Sequence, residues 1–175
     1  MRYADLTAEE KAKLIELVRE RAIFCEQQYG NCPQCTIAAI QDVFGGVDDI
    51  VFKAAFGLGG GGALSSKGVC GALAAAIMII GICWGRDKAD FDKPVDRRCF
   101  ELTRVVIAKF EEKYDGISCH QVQKKIFGRS FDTFIPEEKE AFLAAGGHDD
   151  KCPGVVSFAA CIVAEMILSG DIILL

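Results

Sequence analysis

Residues 57–85 read GLGGGGALSSKGVCGALAAAIMIIGICWG, and how this stretch is understood decides the fold. Its glycines give way at Cys70 to a long uncharged run of small and aliphatic side chains. The segment from Gly68 to Gly85 just reaches the length a membrane-spanning helix needs, about 18–20 residues. Its alanines and glycines gain little from lipid, however, and the rest of the chain is amphipathic in the manner of a soluble bundle. A core helix surrounded by neighbours on every side accounts for it better. Gly57-Leu58-Gly59-Gly60-Gly61-Gly62 satisfies G-x-G-x-x-G, but a dinucleotide site needs that motif directly after a buried strand, and the preceding DDIVFKAAF reads as helix. A phosphate-binding P-loop fails because Lys67 is followed by Gly68. What remains is a glycine loop that delivers Cys70 to the first turn of a tightly packed helix, expected from about Ser66 to Trp84.

Outward from that helix, the punctuation is helical throughout. Thr7-Ala8-Glu9-Glu10 forms a capping box ahead of Leu14, Leu17, Val18, Ala22 and Cys25 at helical spacing, with Gly30 as the stop. Cys32-Pro33 opens a second helix to about Phe44, since proline at the first helical position loses no hydrogen bond. DDIVFKAAF gives a short third helix. VDRRCFELTRVVIAKFEEKYDG gives a long amphipathic one ending near Gly116, and Ser118 caps a short helix with Cys119. Cys152-Pro153 repeats the arrangement at Cys32-Pro33 and opens the last helix. The expected architecture is therefore all-α, a multi-helix bundle around a central Gly/Ala-rich apolar helix, with residues 1–175 as a single domain.

The net charge of -5 and the absence of a Lys/Arg block argue against nucleic acid and anionic membranes as partners. MRYADLTAEEKAKL lacks the apolar core of a signal peptide, so a cytoplasmic location is expected. Nine cysteines in a reducing compartment point to metal ligands or redox-active thiols rather than structural bridges. Four of them, Cys32, Cys70, Cys119 and Cys152, fall at helix starts. There the unsatisfied amides and the helix dipole favour a thiolate, and Cys32 and Cys152 are expected at N-caps.

Taken in order, GNCPQCTIAAI, KGVCGALAAAIMIIGICWG, DGISCHQV and KCPGVVSFAACIVAEMIL resemble the family named for its C-GCAxxG-C-C cysteine pattern, from about Gly30 to Leu168. That resemblance implies a helical bundle related to split-Soret cytochromes and a role in redox chemistry. Two departures stand out: Ala75 occupies the place of the pattern's last glycine, and Cys35 is an additional cysteine. Covalent c-type haem is not expected, because C-x-x-C-H is missing: Thr36 follows Cys35, and Gly116 stands where the first cysteine before Cys119-His120 would be.

If the four helix starts meet, Cys32, Cys70, Cys119 and Cys152 form a four-thiolate site suited to a 2Fe–2S or 4Fe–4S iron–sulfur cluster, with zinc as the second choice. The expected function is electron transfer, as an oxidoreductase or an accessory to one, by a homodimer. Thiol–disulfide exchange at Cys32-Pro33-Gln34-Cys35 is the competing chemistry, with Cys32 and Cys35 as the catalytic pair. A non-catalytic helical module that binds a partner oxidoreductase is the third alternative. Cys25, Cys83, Cys99 and Cys161 are expected to be packing residues. His120 is expected at an exposed helix start, and Asp48-Asp49 and Asp149-Asp150 as capping and turn carboxylates.

Overall fold

The computed structural model describes residues 3–174. Its elements are eight α-helices: α1 (Ala8–Tyr29), α2 (Cys32–Phe44), α3 (Asp49–Ala54), α4 (Gly71–Trp84), α5 (Arg98–Tyr114), α6 (Cys119–Phe127), α7 (Pro136–Ala144) and α8 (Cys152–Ser169). Short 3-10 turns and one π-helical turn, Gly147–Lys151, complete the order. Among the described residues the only strand-like pairing is an isolated antiparallel bridge between Val69 and Ser118.

The local signals act as their chemistry requires. The Thr7 hydroxyl accepts from the Glu10 amide while the Glu10 carboxylate accepts from the Thr7 amide, a closed capping box. Ser118 and Gln121 do the same for α6. Asp48 caps α3 by accepting from the Ile50 amide. The glycine-rich segment differs from the sequence expectation: helix begins at Gly71, not near Ser66. Gly68–Cys70 are drawn into the pairing with Ile117–Cys119, and Gly60, Gly61, Gly62, Ala63, Leu64 and Ser66 before them have left-handed backbone, so the helix cannot reach back to Ser66.

α8 packs on α1, α2 and α4, and α4 in turn packs on α2 and α5. The middle of the bundle is thus shared between two apolar helices. α4 buries Ala72, Leu73, Ala75, Ala76, Ile79 and Ile80 but is not enclosed on every side, since Ile82 is 41% exposed. α8 is the more completely covered. The run Gly147–Ser169 is itself long and apolar enough to cross a membrane, yet 72% of its most apolar window is buried inside the fold, which accounts for its composition as core. α1 lays Val18, Ala22 and Cys25 against this core.

Candidate functional site

Cys32, Cys70, Cys119 and Cys152 come from four separate helix starts and line one cavity of about 360 Å³. Cys32 and Cys152 are the first helical residues of α2 and α8, one position inside the N-caps expected for them, because Asn31 and Lys151 occupy those caps. Cys70 is the N-cap of α4, and Cys119 opens α6 behind the Ser118 cap.

Backbone pairing fixes two of the four. The Cys70 amide donates to the Ile117 carbonyl at 2.8 Å, and the Cys119 amide donates to the Gly68 carbonyl at 2.9 Å, on either side of the Val69–Ser118 bridge. In such an antiparallel pair Cys70 and Cys119 are diagonal neighbours on the same face.

Two glycines let the walls approach. A Cβ on Gly71 would stand 2.6 Å from Cys32 Sγ and 2.7 Å from Pro33 Cδ, so the start of α4 meets the start of α2 only without a side chain there. A Cβ on Gly61, whose φ is +75°, would lie 2.6 Å from the Cys119 Cβ. Behind the glycine loop, the Ser66 hydroxyl donates to the Phe131 carbonyl at 2.5 Å, and Gln123 Oε1 accepts from the Phe131 amide at 2.7 Å.

The helix starts do not make these cysteines thiolates, contrary to the sequence expectation. Burial pushes the Cys70 and Cys119 thiols up to about 12. Burial, followed by their charged and thiol neighbours, raises Cys32 and Cys152 well above the ordinary range. The amides of Gly60 and Ala72 at Cys32, and of Leu73 and Ala72 at Cys70, oppose this effect without overcoming it. No described Cys, His, Asp or Glu forms a group of three or more compact enough to hold a metal ion. A tetrahedral zinc would need sulfurs about 3.8 Å apart, given Zn–S of about 2.3 Å.

Cys35 does not reach the cavity. Its thiol donates to the Gly30 carbonyl at 2.7 Å, and burial, then the Glu26 carboxylate beside it, raises it above the ordinary thiol range. The structure therefore does not supply the lowered thiol that exchange at Cys32 and Cys35 calls for. Cys25 and Cys161 are buried packing residues. Cys83 and Cys99 are half-buried along a separate surface cleft, where the Cys83 thiol donates to the Ile173 carbonyl. His120 is exposed, with its Nδ1 2.8 Å from the Ser130 hydroxyl, and does not line the cavity.

Glu26 and Asn31, which the sequence does not single out, line the cavity, together with His148, whose role the sequence leaves open. Glu26 is only 2% exposed, with Oε1 3.3 Å from His148 Nδ1 but without hydrogen-bond geometry, and its Oε2 has no partner. The π-helical turn carries His148, which Phe142 holds edge-on at 5.2 Å between ring centres. A signal for Glu26 was present, because it lies four residues after Ala22 and so falls on the buried stripe of α1.

A sequence-family model described as "Putative redox-active protein (C_GCAxxG_C_C)" matches residues 30–166. No curated protein and no solved structure matches the chain.

Proposed function

The chain belongs to the C_GCAxxG_C_C family of redox-active proteins, and from that premise we propose that it transfers electrons through an iron–sulfur cluster held by Cys32, Cys70, Cys119 and Cys152. The observation that carries this reading is that these four cysteines, and none of the other five, line one cavity. Scattered in sequence, they meet only through the fold.

The donor set fits a cluster. Four thiols lining one cavity would supply the all-cysteine ligand set that an iron–sulfur cluster takes. When bound, such a cluster supplies one-electron redox chemistry. The protein's own part is to hold the four sulfurs, to keep water away from them, and to release their protons, since buried thiols must deprotonate to become ligands. Amides at Ala72 and Leu73 face the sulfur at Cys70 and favour its negative form. Electrons would pass to and from a partner oxidoreductase.

The test is an anaerobic absorption spectrum of freshly purified protein, with iron and acid-labile sulfide assayed on the same sample. Broad absorbance near about 400 nm together with iron and sulfide is expected. Serine at any one of the four cavity cysteines should lower the iron content, and Cys35→Ala should leave it intact. Colourless protein free of iron after anaerobic reconstitution would defeat the proposal.

A further inference from the structure

The cysteines occupy only part of the cavity wall. Another part carries three polar atoms without a hydrogen-bond partner among the described residues, Glu26 Oε2, Asn31 Oδ1 and His148 Nδ1, the last 3.3 Å from Glu26 Oε1. Buried acceptors without partners are uncommon in folded proteins and call for an explanation. The Asn31 amide is not free to turn, because its Nδ2 donates to the Phe56 carbonyl at 3.1 Å, which leaves Oδ1 as the acceptor. Glu26 cannot swing out to water from a site where it is 2% exposed.

Apolar groups frame these acceptors. Tyr29 and Phe56, 73% and 65% exposed, stand at the rim with Leu64, and Phe142 lies deeper beside His148. A volume of about 360 Å³ is within the range of small-molecule sites, roughly 300–1,000 Å³. The charged or titratable residues of the wall are Glu26, His148, Lys139 and the four thiols with Tyr29. Lys139 is an exposed residue of α7, and among the described residues the wall holds no arginine.

From this arrangement we infer that the cavity holds a second site, a binding subsite for a small organic cation with several N–H donors and a flat apolar body, an amidinium or guanidinium compound. The cationic head donates to Glu26 Oε2 and Asn31 Oδ1, and the flat body lies among Tyr29, Phe56 and Phe142. Aromatic faces at the rim favour a cation as well as an apolar surface. The subsite rests on the cavity being the functional centre of the protein but not on the identity of any group held by the cysteines.

Isothermal titration calorimetry of benzamidine into the protein as isolated tests this, with neutral benzamide and anionic benzoate as matched probes. Benzamidine is expected to bind at least about tenfold tighter than benzamide, the equivalent of roughly 1.4 kcal/mol, and benzoate not to bind. In Glu26→Gln the preference for benzamidine over benzamide should vanish. Benzamide should keep its affinity in Glu26→Gln, which a misfolded variant would not. Equal affinity for benzamidine and benzamide, or a preference that survives in folded Glu26→Gln, would overturn the subsite. Iron and sulfide measured on the same sample separate the two readings: selective binding without iron leaves the subsite standing while the cluster fails, and iron without selective binding does the reverse.

Discussion

Replacing Gly71 by alanine should destabilise the protein, whereas the same replacement ten residues on, at Gly81, should stabilise it. Both glycines lie in α4 and neither has left-handed backbone, so conformational strain is not at issue. The difference is packing. At Gly71 the new methyl would meet Cys32 Sγ at 2.6 Å, Pro33 Cδ at 2.7 Å and the Leu58 carbonyl at 3.1 Å. The sulfur could rotate, but the proline ring and the carbonyl are fixed to backbone. Overpacking of this kind costs about 1–3 kcal/mol. Alanine recovers part of that through helix propensity, up to about 1 kcal/mol in a helix interior and less at a first position. A net loss of about 1–2 kcal/mol remains.

At Gly81 a Cβ meets no described residue within 4 Å, so only the propensity gain applies, about 0.5–1 kcal/mol. In a chain of 175 residues each kcal/mol moves Tm by about 2–4 °C. Gly71→Ala should therefore melt about 2–8 °C lower than the unmodified protein, and Gly81→Ala about 1–4 °C higher. Calorimetry of the two variants in one buffer is the assay, with the rate of maleimide labelling at Cys32 as a local readout of the displaced sulfur. If Gly71→Ala melts at or above Gly81→Ala, the close approach of α4 to α2 is not what shapes the cavity.

Alkaline pH should destabilise the reduced, iron-free protein. Cys70 and Cys119 ionise near 9.0 when unfolded and near about 12 when folded, so the stability they confer is complete below pH 9 and is lost as pH rises from 9 toward 12; a melting temperature unchanged between pH 8 and pH 10.5 would contradict that burial. Gln123→Leu should remove the acceptor of the buried Phe131 amide and cost about 1–3 kcal/mol. Calorimetry should then show Tm lower by several degrees, and an unshifted transition would mean that the amide finds another partner.

The helix boundaries were legible because local chemistry sets them: a hydroxyl and a carboxylate three residues apart, a proline after a cysteine, a glycine at a terminus. The meeting of the four cysteines was legible only as a condition. The pairing that joins Gly68–Cys70 to Ile117–Cys119 links segments about fifty residues apart, and nothing in either segment announces the other. Glu26 illustrates the opposite case. Its position on the buried face of α1 could have been read from spacing, but a carboxylate on an apolar stripe gains meaning only once His148 and Asn31 are found in the same cavity. The start of α4 is not legible in the glycine-to-alanine gradient, because the pairing of Gly68–Cys70 with a distant segment sets it.

The state of the thiols shows which of two opposed effects prevails at a buried helix start. An N-terminal dipole is worth about 0.3–1 kcal/mol to a nearby anion, and about 2 kcal/mol in favourable buried geometry. Raising a thiol from 9.0 to about 12, as at Cys70, corresponds to roughly 4 kcal/mol in the other direction, with the opposing amides already included. Burial wins. A surface cysteine at the same helix position would be a somewhat more acidic thiol; burial instead keeps these four protonated until something positive enters among them. A site of this kind is poorly suited to attack an external disulfide, which needs a thiolate at rest. It is well suited to hold a guest whose own positive charge draws off the protons, and the glycines that bring Cys32 and Cys119 inward place the sulfurs around that space before the guest arrives.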